Sequence, residues 1–249
     1  MPSIDINCDL GEGIGSDEAI MPFISSANIA CGFHAGSPLL MEQTVQLARQ
    51  HGVQIGAHPG YPDPQEFGRR ELHLPPESVE ALVLYQVAAL AGIAKANGAE
   101  LAHVKPHGAL YNQAAKDRVV ADAIARAVRR FSAELILFGL AGSELITAGM
   151  EAGLCVAAEG FPDRAYETDG SLRPRKLPGA LIENPNDAAA NGLRLAGEGI
   201  TIRREDGEEK IRVDTLCVHG DSPGAVETAK ALKAILEKNQ FKITALKKY

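Results

Sequence analysis

Seven short strand-like runs, SIDINCD (3–9), ANIACGF (27–33), VQIGAH (53–58), LAHVKP (101–106), ELILFG (134–139), LCVAAEG (154–160) and TLCVHG (215–220), alternate with longer helix-like segments along the chain. Alternation of this kind commits a chain to a mostly parallel sheet, either open and doubly wound or closed into a barrel. The helix boundaries are well marked. Ser37-Pro38 supplies an N-cap and a first-turn proline, and Gly52 supplies a left-handed end. Pro76 opens a second helix ended by Gly98, and Ser222-Pro223 opens another. Further helices are expected over 113–131, 142–152 and 186–197. RREDGEEKIR (203–212) reads as a solvated hairpin with an Asp206-Gly207 turn. No linker-like stretch divides the chain, so a single domain over 1–249 is expected.

Composition removes several function classes. With 25 basic against 32 acidic residues the net charge is -7, and no basic patch offsets it, which argues against nucleic acid. No run of about 18 apolar residues stands out as a membrane span. The amino terminus MPSIDINCDL has no signal-like basic and apolar regions, so a cytoplasmic protein is expected. Cys8, Cys31, Cys155 and Cys217 are widely separated and lie in apolar runs, the pattern of reduced, buried thiols.

Side chains alternate faces along a strand, which splits the runs into two rows. In the first, Ile4, Ile6 and Cys8 oppose Asp5, Asn7 and Asp9; in the fourth, Ala102, Val104 and Pro106 oppose His103, Lys105 and His107. The last opposes Leu216 and Val218 to Thr215, Cys217, His219 and Asp221. An open parallel sheet covered by helices is apolar on both faces. A polar row points instead to the interior of a barrel that holds a functional cavity. The dinucleotide signature GxGxxG is missing after the first strand, where DLGEGIGSDE places acidic side chains. The expected fold is therefore a distorted α/β barrel of about seven strands.

The polar groups gather at strand ends. Asp9, His34, His58, His107, Glu159 and His219 all fall at or just past a carboxyl end, the catalytic rim of such barrels. One such histidine is ordinarily a satisfied structural residue; four at equivalent ends favour function. His51 and His73 lack that setting and read as surface residues, and His103 as a supporting partner. Asp9 and Glu12, in NCDLGEG, are candidate catalytic or metal-binding carboxylates. An inward Lys105 requires a carboxylate or an anionic ligand beside it. In FPDRAY, Asp163 and Arg164 form either an internal salt bridge or a holder for a substrate carboxylate. FGRR (67–70) and RPRK (173–176) have solvated loops as their default reading. There is no P-loop, no GxSxG elbow and no obviously placed cysteine nucleophile.

INCDLGEG, SSANIACGFHAG, IGAHPGYPD, FGRR, HVKPHGALYN, FPDRAY and CVHGD, in that order, resemble the LamB/YcsF family over nearly the whole chain. Ser37 stands where the family commonly has Asp, and Glu66 where Gly is usual. The resemblance implies a barrel of the glycoside hydrolase/deacetylase type. It also implies an ATP-driven, 5-oxoprolinase-type opening of a cyclic amide to L-glutamate, with ATP as co-substrate and two partner subunits, B and C. In that setting Asp9, Glu12, His34, His58, Lys105 and His107 are the catalytic candidates, while Asn7, Glu159, Asp163, Arg164, His219 and Asp221 are the substrate-binding ones. Deacetylases of this fold type, the YdjC-like ones included, place one Asp and two His around a divalent metal, and Asp9, His58 and His107 occupy comparable places. That leaves two alternatives open, a metal-dependent deacetylase or amide hydrolase, and a subunit that binds without catalysing.

Overall fold

The computed structural model describes residues 1–14, 17–204, 207–222 and 224–247. Its strands are β1 (Ser3–Leu10), β2 (Ser26–Ala30), β3 (Gln54–His58), β4 (Leu101–Val104), β5 (Ile136–Leu140), β6 (Cys155–Gly160), β7 (Ile200–Arg204), β8 (Gly207–Ile211), β9 (Thr215–Val218) and β10 (Lys242–Ile243). Strands β1 to β6 pair in parallel in chain order, β9 pairs with β6, and β9 returns to β1, which closes a barrel of seven strands. β10 adds to the amino end of β1, and β7 with β8 makes a separate antiparallel hairpin. The helices are α1 (Asp17–Ile20), α2 (Pro38–His51), α3 (Pro76–Ala96), α4 (Gly108–Ala114), α5 (Arg118–Phe131), α6 (Glu144–Glu151), α7 (Pro185–Glu198) and α8 (Ala225–Lys238).

The two rows of each strand take up the two sides of the barrel wall. Ile4, Ile6, Cys8 and Leu10 of β1 join Met41 and Val45 of α2, Val83 and Leu90 of α3, and Leu232 and Leu236 of α8 in the main apolar core. Burying side chains of this size contributes about 1.5–3 kcal/mol each, which is what fastens the helices to the wall. The opposite row turns inward, and the register is consistent around the ring: Asn7 is level with Ser26 and Cys217, Asp9 with Asn28, Ala30 with His58, and Leu140 with Glu159. The interior is not polar throughout. β5 and β6 contribute Ile136, Phe138 and Ala157, against which Leu246 of the carboxyl-terminal segment packs, so one side of the lumen is apolar.

The local boundaries follow from capping. Ser37 accepts from the Leu40 amide, and Gly52 ends α2 at φ 67°. The expected helix over 113–131 is two helices: α4 begins at Gly108, and the Asp117 side chain caps α5 by accepting from Val119 and Val120. Gly108 has φ 54° and passes so close to Gly68 that a β-carbon would lie 2.6 Å from the Gly68 carbonyl oxygen. Strand β2 stops at Ala30 because Gly32, at φ 87°, turns the chain, so His34 stands on a loop beyond the strand. α8 starts at Ala225 behind Gly224 instead of at Ser222-Pro223, and Pro223 lies outside the described residues. The 203–212 hairpin forms with exposed Arg203 and Glu208 paired at 3.3 Å, but its strands begin at Ile200, and Asp206 of the expected turn lies outside the described residues. Contrary to expectation, α3 is long and apolar enough to cross a membrane, with a mean hydropathy of 1.5. Val79, Val83, Val87, Leu90 and Ala94 spend that apolarity on the barrel core.

Gly56, on the inward row of β3, leaves space for the His103 ring. A β-carbon there would come 2.1 Å from His103 Nε2. His103 is fixed on its other sides by stacking on Phe138 at 4.2 Å and by a 2.7 Å hydrogen bond to Asn28 Oδ1. Gly56→Ala is expected to displace this ring and cost about 1–3 kcal/mol through overpacking. Thermal unfolding should show the loss at about 2–4 °C per kcal/mol; an unchanged melting temperature would mean that the ring has room to move.

Candidate active site

A cavity of about 460 Å³ opens at the carboxyl ends of the strands. Asp9, His58, Lys105, His107 and His219 line its inner end, while Arg69, Arg164 and Arg175 line the loops above. Nearly every inward polar group from the lower strands leads up to Lys105. Its ammonium lies 2.9 Å from Asp9 Oδ1 and 2.9 Å from Glu159 Oε1, and it donates to Asn7 Oδ1 at 3.2 Å and Cys217 Sγ at 2.9 Å. Phe161 covers it, with the ring centroid 5.5 Å away. Burial alone would lower the Lys105 pKa, but the Asp9 and Glu159 carboxylates outweigh it and hold the ammonium charged well above the ordinary lysine range. Burial likewise opposes ionisation of Asp9, and the adjacent His58 imidazole and Lys105 ammonium outweigh it, so Asp9 stays ionised well below the usual carboxylate range.

A hydrogen-bonded platform lies beneath. Asn7 Nδ2 donates to Glu159 Oε1 and Thr215 Oγ1, the Tyr111 hydroxyl donates to Glu159 Oε2 at 2.6 Å, and Asn28 Nδ2 donates to both Asn7 and Asp9. Burial and the adjacent Glu159 push the Tyr111 pKa up, so the phenol remains a donor. Deeper still, Asp5 accepts from the hydroxyls of Ser25, Ser26 and Thr215. Asn7 and Glu159, read from sequence as substrate-binding, are fully buried and do not line the cavity. They hold Lys105 from below.

A histidine wall stands beside Asp9. His58 Nε2 is 3.4 Å from Asp9 Oδ2 and 3.0 Å from His107 Nδ1. His34 stacks on His107 with centroids 3.7 Å apart and planes within 4°, and its Nε2 lies 3.3 Å from Glu12 Oε1. Burial, with His58 next, lowers His34 to a pKa of about 2, and burial with His34 and His58 keeps His107 neutral as well. Burial, then Asp9 and Asp221, raises Glu12 to about 9. Four of the groups that could hold a metal ion, Glu12, His34, His58 and His107, present ligand atoms within 4.8 Å of one another, and Asp9, Cys217 and His219 do the same separately.

The outer wall answers the remaining sequence expectations. Asp163 pairs with His219 Nδ1 at 2.8 Å, while Arg164 donates from Nη2 to the Arg173 carbonyl and keeps a buried Nε without a partner. Asp221 pairs with Arg69. The default of a solvated FGRR loop is corrected: the Phe67 carbonyl accepts from His107 Nε2 at 2.8 Å, Gly68 packs on His34 and His107, and Arg69 lines the cavity. In RPRK, Arg175 and Lys176 also line it. His51 and His73 are exposed, and the cysteines are free thiols with Cys8, Cys31 and Cys217 buried. Tyr111, Asn28 and Cys217 were not singled out as site residues. Two of them lie on the inward rows already legible in the sequence, and Tyr111 follows His107 by one helical turn, the spacing that puts both on one face.

The LamB/YcsF family model matches residues 4–249. Among relatives, the 5-oxoprolinase A subunit of Chloroflexus aggregans is 56% identical, with 95% of this chain and 96% of that protein covered. That of Methylococcus capsulatus is 52% identical, covering 98% and 96%. The solved lactam utilization protein from Thermus thermophilus superposes with a TM-score of 0.89 at 47% identity, covering 98% of this chain and all of that one. T48 deacetylase, at a TM-score of 0.50 and 13% identity, covering 98% and 87%, shares the barrel alone. Matched from one end to the other by the family model and by these relatives, the chain belongs to the LamB/YcsF family.

Proposed function

We propose that this chain is the A subunit of a 5-oxoprolinase, a hydrolase that opens the cyclic amide of 5-oxoproline to L-glutamate at the expense of ATP, in concert with B and C subunits. One observation carries the reading: relatives more than half identical along almost the entire chain are named as the A subunit of 5-oxoprolinase. The name itself speaks of a multisubunit enzyme. The site supplies what the chemistry requires of such a component. An unstrained lactam is a poor electrophile, and phosphorylation of its amide oxygen makes its carbonyl carbon open to attack by water. This chain carries no P-loop, so the phosphorylation step is assigned to the partners. An ATP-consuming enzyme of this kind fits a cytoplasmic setting.

In this reading Asp9, ionised and beside His58, takes the proton of the attacking water. Lys105, fixed in its charged form, stabilises the negative charge on the phosphorylated oxygen; the proton taken by Asp9 passes to the departing ring nitrogen, and hydrolysis of the resulting acyl phosphate releases phosphate and L-glutamate. Arg164, which lines the cavity, holds the substrate carboxylate. Glu12, His34 and His107 fix the wall behind His58, and Asp163, His219 and Asp221 set the outer rim.

Two outcomes are expected. The chain alone should form almost no glutamate from 5-oxoproline and ATP, and addition of both partner subunits should establish turnover; an inert complete mixture would reject the assignment, and full ATP-coupled turnover by the chain alone would reject the need for partners. In the complete complex, Asp9→Asn should lower kcat about 10²–10⁴-fold, while Arg164→Gln should raise KM about 10- to 100-fold through one lost charge-assisted contact. Steady-state kinetics with thermal unfolding in parallel separate these effects from misfolding. A normal KM in a folded Arg164→Gln enzyme would remove the carboxylate from that position.

A further inference from the structure

We propose that Glu12 Oε1, His58 Nε2 and His107 Nδ1 form a three-ligand site for a first-row divalent cation of the zinc type, open towards the cavity. The argument starts from two backbone carbonyls. His58 Nδ1 lies 2.7 Å from the Lys105 carbonyl oxygen, and His107 Nε2 lies 2.8 Å from that of Phe67. A carbonyl only accepts, so each of these ring nitrogens carries the hydrogen, and in a neutral imidazole the other nitrogen is then a bare lone pair. Those two lone-pair atoms face each other at 3.0 Å. Glu12 Oε1 is 3.4 Å from His107 Nδ1 and 4.0 Å from His58 Nε2. Two facing lone pairs with a carboxyl beside them repel one another unless a proton or a metal cation sits among them.

The spacing suits an ion. Zinc bonds its nitrogen and oxygen ligands at about 2.0–2.2 Å in a tetrahedron, which puts neighbouring ligand atoms about 3.3 Å apart, close to the separations found here. The His58 and His107 planes stand at 87°, so their in-plane lone pairs can converge. His34 does not have that freedom: its ring lies parallel to His107, and its contribution is to position Glu12 through the 3.3 Å contact. Anchoring the second nitrogen of a ligating histidine on a carbonyl is the usual arrangement around protein-bound metals. Phe67 adopts φ 55°, a conformation uncommon for a residue other than glycine, and it is this residue that supplies one anchor. Two imidazoles and one carboxylate, with His58 and His107 on the cavity wall, make a donor set suited to zinc, iron or manganese with positions left for a small ligand. Glu12 rather than Asp9 is the carboxylate of this set, because Glu12 Oε1 comes within 4.0 Å of both imidazole nitrogens, whereas Asp9 Oδ2 meets His58 alone at 3.4 Å and its Oδ1 is held by Lys105 and Asn28.

The test measures binding and therefore stands or falls independently of the 5-oxoprolinase reading. The untagged full-length chain, stripped with chelator and dialysed, is titrated with ZnCl₂ and separately with MnCl₂ by calorimetry, with elemental analysis of the reloaded protein. One equivalent is expected, with a rise in melting temperature. Glu12→Gln and His107→Asn should each weaken binding at least about tenfold, and His34→Asn by less. His51→Asn, on the surface, should bind as the parent does. Should either ligand variant fail to fold, His58→Asn and Glu12→Ala take its place. Absence of stoichiometric binding by the folded parent would mean that the two imidazoles share a proton, and would overturn the proposal. Parent-like affinity in folded Glu12→Gln and His107→Asn would overturn it too, as would a loss confined to Asp9→Asn.

Discussion

The rest of the site depends on one buried ammonium. Removing a charge from water costs several kcal/mol even after relaxation, and the cost is offset only when opposite charges and hydrogen bonds surround it closely. Lys105 meets that requirement with two carboxylates, Asp9 and Glu159, at 2.9 Å each. Those carboxylates impose their own demands, which explains the lower layers of the lumen. Glu159 is completed by Asn7 and Tyr111, Asp9 by Asn28, and Asn28 in turn receives His103, which needs the bare backbone of Gly56. The polar network thus propagates from β1 through β2, β3, β4, β9 and the Glu159 end of β6, and the side formed by β5 with the rest of β6 is left to Ile136, Phe138 and Ala157.

This chain of requirements accounts for a sequence that carries polar rows where a sandwiched parallel sheet would be oily. Closing the sheet turns one row inward, and seven strands leave a lumen in which Asn7, Asp9, Asn28, His103 and Lys105 are joined by hydrogen bonds, with Asp5 held below them by Ser25, Ser26 and Thr215. The catalytic end opens above that network, with loops rich in arginine over it. Negative net charge on the whole chain and a basic cavity mouth are compatible, since a small anion responds to the local field within about a Debye length.

How much of this was legible from the residues varies with the range of the interaction. Strand faces, the caps at Ser37 and Gly52, and the clustering of Asp9, His58, Lys105 and His107 come from periodicity and position, which are local. The break between α4 and α5 was hidden because residues 113–131 keep an apolar rhythm across it, and only the Asp117 cap marks the new start. The placement of FGRR over the histidines depends on the Phe67 carbonyl reaching a residue forty positions further on, which no spacing announces. Partner choice was the least visible: Asp163 next to Arg164 suggests a pair, yet strand geometry gives Asp163 to His219. Glu159 and Asn7 were recognisable as inward residues, but their depth below the cavity appears only once all seven strands are in register.

The central claim, that a permanently charged Lys105 organises the site, is open to direct measurement. In protein labelled with nitrogen-15 in its lysine side chains, Lys105→Arg assigns the Lys105 Nζ resonance by its disappearance, and a pH titration follows it in the parent. The account predicts a protected ammonium whose signal is unchanged as pH passes the ordinary lysine value of 10.5, for as long as the chain stays folded. A folded protein in which that nitrogen loses its proton below that value would contradict it, since the two carboxylates would then not be holding the charge.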